Sequence, residues 1–201
     1  MAAQRGSRSS TTLRSALVPG AVAGIAAFLA GYVLTFVLKS GEVSELLTRS
    51  LGEAGGGGIT PPGDWQVVGW FFFQMHTVAT ETTLALNGQT QTSTTTGSVE
   101  SWMLLVPIVL LAAAGFVVAR RVGSREILAG AQAGATVVVG YVVLAVVFAF
   151  LTAWSASVSA FGGTASVTIG PALVTGILTA GIIYPLAAGA VGGAFAAATG
   201  Q

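Results

Sequence analysis

Four long apolar runs dominate the chain, and polar segments separate them. A helix needs ~20 predominantly apolar residues to cross a ~30 Å hydrocarbon core, and each run is close to that length or longer. None of the runs contains Asp, Glu, Lys, Arg or His. We therefore predict four transmembrane helices, at about residues 16–38, 102–119, 127–154 and 169–198.

The composition supports this interpretation. Hydrophobic residues make up 53% of the chain and charged residues only 7%, and the mean hydropathy is +0.82, which is far from the balance of soluble domains. Cysteine is absent, so disulfides and thiolate metal sites are excluded. The predicted fold class is all-α: a four-span transmembrane helical bundle that forms a single transmembrane domain over residues 16–201.

Two polar regions lie outside the predicted spans. Residues 1–15 are rich in Ser, Thr and Arg without apolar periodicity, which predicts a disordered basic cytoplasmic arm. Residues 39–101 form a large outer loop, in which the glycine run Gly55–Gly58 resembles a flexible linker. The threonine-rich tract Thr77–Thr96 leaves two alternatives open, a glycosylated loop or a hairpin around the sequence NGQT.

The outer loop also contains the most aromatic segment of the chain, WQVVGWFFFQMH, from Trp65 to His76. Its uninterrupted apolar part, Val67–Phe73, would extend only ~10 Å as a helix, which is too short to cross a bilayer. Trp and Phe rings are well suited to the membrane boundary, where polar neighbours stay hydrated. We therefore predict an interfacial or re-entrant aromatic helix in the large outer loop.

The distribution of charge predicts the orientation. With four spans, six of the eight basic residues fall on one side of the membrane, and six of the seven acidic residues fall on the other. Basic residues concentrate on the cytoplasmic side of membrane proteins. We therefore expect a multi-pass protein of the cell (plasma) membrane, with both termini cytoplasmic.

Few residues are candidates for a functional site. His76 is the single histidine, and Glu81, Gln132 and Tyr141 are further candidate functional positions. A metal or catalytic site needs several converging groups, so an external metal site would require Asp64, His76 and Glu81 to meet at one ion. The pattern predicts no catalytic residues, no cofactor-binding residues, no metal ligands and no cofactor.

Small residues recur at the four-residue spacing that lets membrane helices approach closely. These helix-packing candidates are three glycine pairs: Gly20 and Gly24, Gly130 and Gly134, and Gly189 and Gly193.

Three stretches carry a resemblance to a known group: WQVVGWFFFQMHTV in the outer loop, AGATVVVGYVVLAVVFAF in the third span and GIIYPLAAGAVGGAF in the fourth. The chain resembles small multi-pass membrane proteins of haloarchaea whose function is not established. One lysine against seven arginines and an acidic outer loop are typical of a halophile. The resemblance implies the same topology and no catalytic residues.

Two functions are compatible with these features. The first is a non-enzymatic scaffold or accessory subunit that associates through its small-residue helix faces. The alternative is a small oligomeric permease for a neutral or weakly polar solute, with a polar track through Gln132 and Tyr141. The expected partners are the lipid bilayer and either further copies of the chain or another membrane protein, with no nucleic acid.

Overall fold

The computed structural model describes residues 2–53, 60–97, 99–160 and 163–200. Six α-helices longer than one turn and four β-strands make up this part of the chain. The helices are α1 (Ala2–Glu53), α2 (Asp64–Gln74), α3 (Leu105–Arg121), α4 (Ile127–Ala135), α5 (Val138–Leu151) and, after a three-residue α6 (Leu173–Thr175), α7 (Tyr184–Ala198). The strands are β1 (Thr80–Leu86), β2 (Gln89–Thr95), β3 (Trp154–Ala160) and β4 (Gly163–Pro171).

Four helical segments are long and apolar enough to cross a membrane, as the hydropathy pattern predicts. They are Leu13–Arg49, Ser101–Arg121, Ile127–Leu151 and Leu173–Ala198. The second begins with a 3₁₀ turn at Ser101–Leu104, and the third bends between α4 and α5. At this bend the Thr136 hydroxyl donates to the carbonyls of Ala133 (2.6 Å) and Ala16 (3.1 Å), a type of side-chain bond that bends helices.

The last of these segments, Leu173–Ala198, is called the C-terminal helix below. Between α6 and α7 it contains a π-helical stretch, Gly176–Ile183. Pro185 follows at the start of α7, and its missing N–H and its ring disturb the regular hydrogen-bond ladder of the turn before it. Pro185 therefore gives a physical reason for the π-helical winding that precedes it.

Several predicted boundaries differ from those of the observed helices. The helix predicted over 127–154 ends at Leu151, and the one predicted over 169–198 begins at Leu173, because the intervening residues form strands. The basic arm, residues 1–15, was predicted to be disordered, but α1 already begins at Ala2. Extending an existing helix costs much less than starting one, which accounts for the continuation.

The all-α fold class is also incomplete, because the four strands form an antiparallel sheet in the order β2-β1-β4-β3.

The hairpin alternative for the threonine-rich tract is confirmed. β1 and β2 are joined at Asn87 (φ 48°) and Gly88 (φ 84°), the pair of positive φ angles that a tight hairpin turn requires. β3 and β4 alternate small apolar residues with Ser and Thr, which is the pattern of a half-buried strand.

The sheet and α2 lie at one end of the bundle. The opposite end contains the C-terminal end of α3, the start of α4 and the end of α7, where Arg120 donates to the Thr199 hydroxyl at 3.2 Å. Arg120, Arg121 and Arg125 belong to this end, which is called the basic end below. The glycine run Gly55–Gly58 lies outside the described residues.

Candidate functional site

The aromatic helix α2 inserts its C-terminal half into the bundle. Its first turn is capped by the Gln66 side chain, which accepts a hydrogen bond from the Gly63 amide at 2.9 Å. Phe72 and Phe73 are buried, whereas Trp65 at the other end is exposed. The helix therefore has one end at the surface and one in the core.

An aromatic cluster surrounds the buried end of α2. Phe28 of α1 makes edge-to-face contacts with Phe72, Tyr141 and Phe148, at ring-centroid distances of 4.8, 5.0 and 5.0 Å. Tyr32 extends the cluster and donates from its hydroxyl to the Trp65 carbonyl at 2.8 Å. Such ring pairs stabilise a core beyond the area that they bury, so this cluster fixes α2 against α1 and α5.

His76 follows α2 and is fully buried. Its Nδ1 lies 2.9 Å from the Phe72 carbonyl oxygen, and its Nε2 lies 2.7 Å from the Tyr141 hydroxyl. Because a carbonyl only accepts, Nδ1 carries the proton, and Nε2 accepts the hydrogen bond that Tyr141 donates. Both ring nitrogens of the neutral imidazole are thereby satisfied.

Burial controls the protonation of His76. Loss of hydration lowers its pKa to about 4, while the hydrogen bond to Phe72 acts in the opposite direction. Edge-on contacts with the rings of Phe72 and Tyr184 complete its surroundings. At neutral pH this histidine is an uncharged hydrogen-bonding group that links α2 to α5.

The structure brings together only two of the four candidate functional positions, His76 and Tyr141. Glu81 lies on β1 and borders a cleft beside the sheet, whereas Gln132 is half-buried on α4. Asp64 accepts a hydrogen bond from Ser44 at 2.9 Å, so it does not converge with His76 and Glu81 on one ion. Among the described residues no group of three or more His, Asp or Glu side chains could hold a metal ion.

Sequence reasoning did not identify the charged cluster around Lys39. This lysine is only 3% exposed, and its Nζ donates to Glu42 at 2.6 Å and to Glu100 at 3.0 Å. It also lies 5.4 Å from the centroid of the Phe71 ring. The hydrogen bond from Lys39 holds the pKa of Glu100 below its ordinary value. A lysine placed directly after an apolar run was the available signal, but one of its two partners, Glu100, is 61 residues away.

The six candidate packing glycines all lie at contacts between helices of this chain. A Cβ on Gly20 would overlap Thr136, and one on Gly24 would overlap the Val137 carbonyl. The other two pairs face each other across α4 and α7, where a Cβ on Gly189 would lie 2.6 Å from the Gly134 carbonyl oxygen. Because each glycine is covered by another helix of the same chain, these positions are not open to a partner helix.

The sheet has two chemically different faces. One face, called the apolar face below, carries large and small hydrophobic side chains from three neighbouring strands: Leu84, Leu86, Trp154, Ala156, Val158, Ala165, Val167 and Ile169. The opposite face, called the polar face, carries Glu81, Thr83, Ser155, Ser157, Ser166 and Thr168. Leu86 is 60% exposed, and a hollow of about 220 Å³ lies beside it and Val158.

The comparisons with known proteins give a family and no activity. No curated protein and no solved structure matches the chain. A family model described as a family of unknown function (DUF7978) matches residues 1–200. The chain therefore belongs to this family.

Proposed function

We propose that the protein is a non-enzymatic, multi-pass protein of the plasma membrane that serves as a scaffold or accessory subunit. The four long apolar helices would cross the bilayer, with the basic end and both termini in the cytoplasm and the sheet outside. Basic residues favour the cytoplasmic side, and the two basic residues at the sheet end are paired with acids. Lys39 contacts Glu42 and Glu100, and Arg49 contacts Glu45, so neither leaves an unpaired positive charge outside.

The observation that carries the proposal is the filled centre of the bundle. Tyr141 lies near the middle of the segment Ile127–Leu151, and at that level the rings of Phe28, Phe72 and His76 pack around it. A solute track through Tyr141 would have to displace interlocking buried rings. A close-packed interior leaves little room for a solute, which supports the scaffold over a permease whose path runs through this centre.

The proposed partner-binding surface is the apolar face of the sheet rather than the glycine pairs. Exposed apolar patches outside a membrane mark interaction sites. Leu84, Leu86 and Val158 are exposed on this face, which carries no charged side chain. The partner that fits it is another membrane protein whose external part presents a neutral, apolar surface. A side chain of that partner would enter the hollow beside Leu86 and Val158.

The competing function is a small oligomeric permease for a neutral solute, and one observation favours it. The π-helical stretch Gly176–Ile183 is eight residues long, and π-helical turns are frequent at functional sites. The filled bundle interior favours the scaffold.

A haloarchaeal origin is also part of the proposal. It is supported by the acidic outer end and the single lysine.

Reconstitution and crosslinking separate the two functions. Liposomes that contain the purified protein should show the same urea and glycerol permeability as empty liposomes. In native membranes, a photo-crosslinking amino acid at Leu84 should capture one companion membrane protein, and the same group at Thr92, on the exposed outer strand β2, serves as the matched control. Flux above that of empty liposomes, lost in Tyr141→Phe, would contradict the scaffold and support the permease.

A further inference from the structure

A cleft lies where the polar face of the sheet meets the ends of α5 and the C-terminal helix. Its volume is about 360 Å³, which is within the range of small-molecule sites. One wall is polar and consists of Glu81, Thr83 and Thr168; the other is apolar and includes Phe150, Leu173 and Val174. The cleft therefore joins two surfaces of opposite character.

The apolar wall faces outward from the bundle. Phe150 is 61% exposed and Val174 is 73% exposed, and both belong to segments long and apolar enough to cross a membrane. In the proposed membrane arrangement these side chains contact lipid, so the cleft opens towards the outer boundary of the bilayer. Its occupant would place an apolar chain along Phe150 and Val174 and a polar headgroup beneath the sheet.

The polar wall determines the charge of that headgroup. Glu81 is the charged residue of the cleft lining, and its carboxylate has no hydrogen bond or ion pair with any other described residue. The Thr83 hydroxyl lies 3.2 Å from that of Thr92, which leaves Glu81 as the strongest acceptor in the cleft. A carboxylate accepts hydrogen bonds and attracts positive charge.

We propose that this cleft binds an amphiphile with a primary ammonium headgroup and an apolar chain. Its ammonium group would donate to Glu81 and to the threonine hydroxyls, while the chain would cover the apolar wall. This inference rests on the membrane insertion within the proposed function, and it is independent of the scaffold role.

The test measures the binding of radiolabelled dodecylamine to the full chain in nanodiscs of neutral lipid, with empty nanodiscs subtracted. Dodecanol has the same chain without the charge, and ethylamine has the charge without the chain. We expect saturable binding of dodecylamine, at least about tenfold weaker binding of dodecanol, and no detectable binding of ethylamine. Tight binding of ethylamine would instead indicate a site for a small free amine, and it would contradict the proposal that the ligand is an amphiphile.

The matched variants are Glu81→Gln in the cleft and Glu126→Gln, which removes an exposed carboxylate at the basic end. Glu81→Gln should weaken dodecylamine binding at least about tenfold and leave dodecanol unchanged, whereas Glu126→Gln should change neither. Equal losses in both variants, or none in Glu81→Gln, would overturn the proposal. Resistance of each variant to alkaline extraction from membranes reports insertion separately, so failure of the proposed membrane arrangement is distinguishable from an unoccupied cleft.

Discussion

The centre of the helix bundle and the four-stranded sheet differ in how their apolar residues are packed. In the bundle, glycines such as Gly134 and Gly189 bring two helices into backbone contact, and the rings of Phe28 and Phe72 fill the space that remains. In the sheet, Leu84 and Leu86 stay exposed, and β2 is exposed along its whole length.

This difference separates stability from recognition. The centre of the bundle is filled by side chains of the chain itself, so substitutions there should change folding. The sheet leaves the apolar side chains of Leu84 and Leu86 exposed, so substitutions there should change what the protein binds.

Truncation in the aromatic cluster should have the largest effect. Phe72→Ala removes a buried ring that contacts Phe28, Tyr32 and His76, and the free energy of unfolding should fall by about 3–5 kcal/mol. Denaturant titration in detergent micelles measures this change. Phe195→Ala, at an exposed ring of α7, is the control and should cost much less. A loss below about 1 kcal/mol for Phe72→Ala would contradict a filled core.

Crowding at the glycine contacts should come next. In Gly134→Ala the new methyl group would overlap the Gly189 carbonyl, and backbone atoms cannot move aside cheaply. The expected destabilisation is about 3 kcal/mol. Gly41→Ala is the matched control, because no atom lies within 4 Å of the added Cβ, and it should be neutral or stabilise the helix by up to about 1 kcal/mol. Equal changes in the free energy of unfolding for the two variants would contradict a close backbone contact between α4 and α7.

The buried histidine predicts a pH dependence of bundle stability. Its pKa is about 4 in the folded chain and 6.5 as the ordinary value, so the unfolded state binds the proton first as the pH falls. The contribution of neutral His76 to the free energy of unfolding is therefore fully present above pH 6.5, and it declines as the pH falls towards 4. The loss at pH 5 should be about 2 kcal/mol. His76→Leu should remove this dependence of stability on pH. If the dependence persists in that variant, other titratable groups are responsible for it.

Substitution on the apolar face of the sheet should affect stability least. Leu84→Ser changes a half-exposed side chain, and the free energy of unfolding should shift by less than about 0.5 kcal/mol. With the photo-crosslinking amino acid placed at Leu86 on the same face, the yield of the crosslinked companion protein in native membranes should nevertheless fall. Thr92→Ala on β2 is the control and should leave both quantities unchanged. Undiminished capture by Leu84→Ser would exclude this face as the partner surface.

Local patterns predicted most of the helical architecture. Uncharged apolar runs predicted the four long helices, and the four-residue glycine spacing marked positions where helices meet. The sequence NGQT, which begins at Asn87, left a hairpin as one of two alternatives. The aromatic segment Trp65–His76 was also recognised as a helix too short to span. These features depend on neighbours within a few residues, which is the range over which a single sequence is informative.

Long-range contacts account for what the sequence did not predict. His76 and Tyr141 are 65 residues apart, and nothing in the spacing of His76 from Glu81 indicates that Tyr141 is its partner. β3 and β4 directly adjoin apolar helices, and the predicted spans took in Trp154 and Ile169 at the ends of these strands. The alternating residues between the two spans were left without a predicted structure. The charged cluster of Lys39 and Glu100 likewise forms only when α1 and the start of α3 come together.

Single-cysteine labelling in intact cells tests the central claim, a closed bundle with the sheet outside and the basic end in the cytoplasm. The chain has no cysteine of its own, so Thr92→Cys in the sheet and Arg121→Cys at the basic end each provide one reporter. A membrane-impermeant maleimide should label Thr92→Cys in intact cells and Arg121→Cys only after permeabilisation. Labelling of Arg121→Cys in intact cells, with Thr92→Cys protected, would contradict the account.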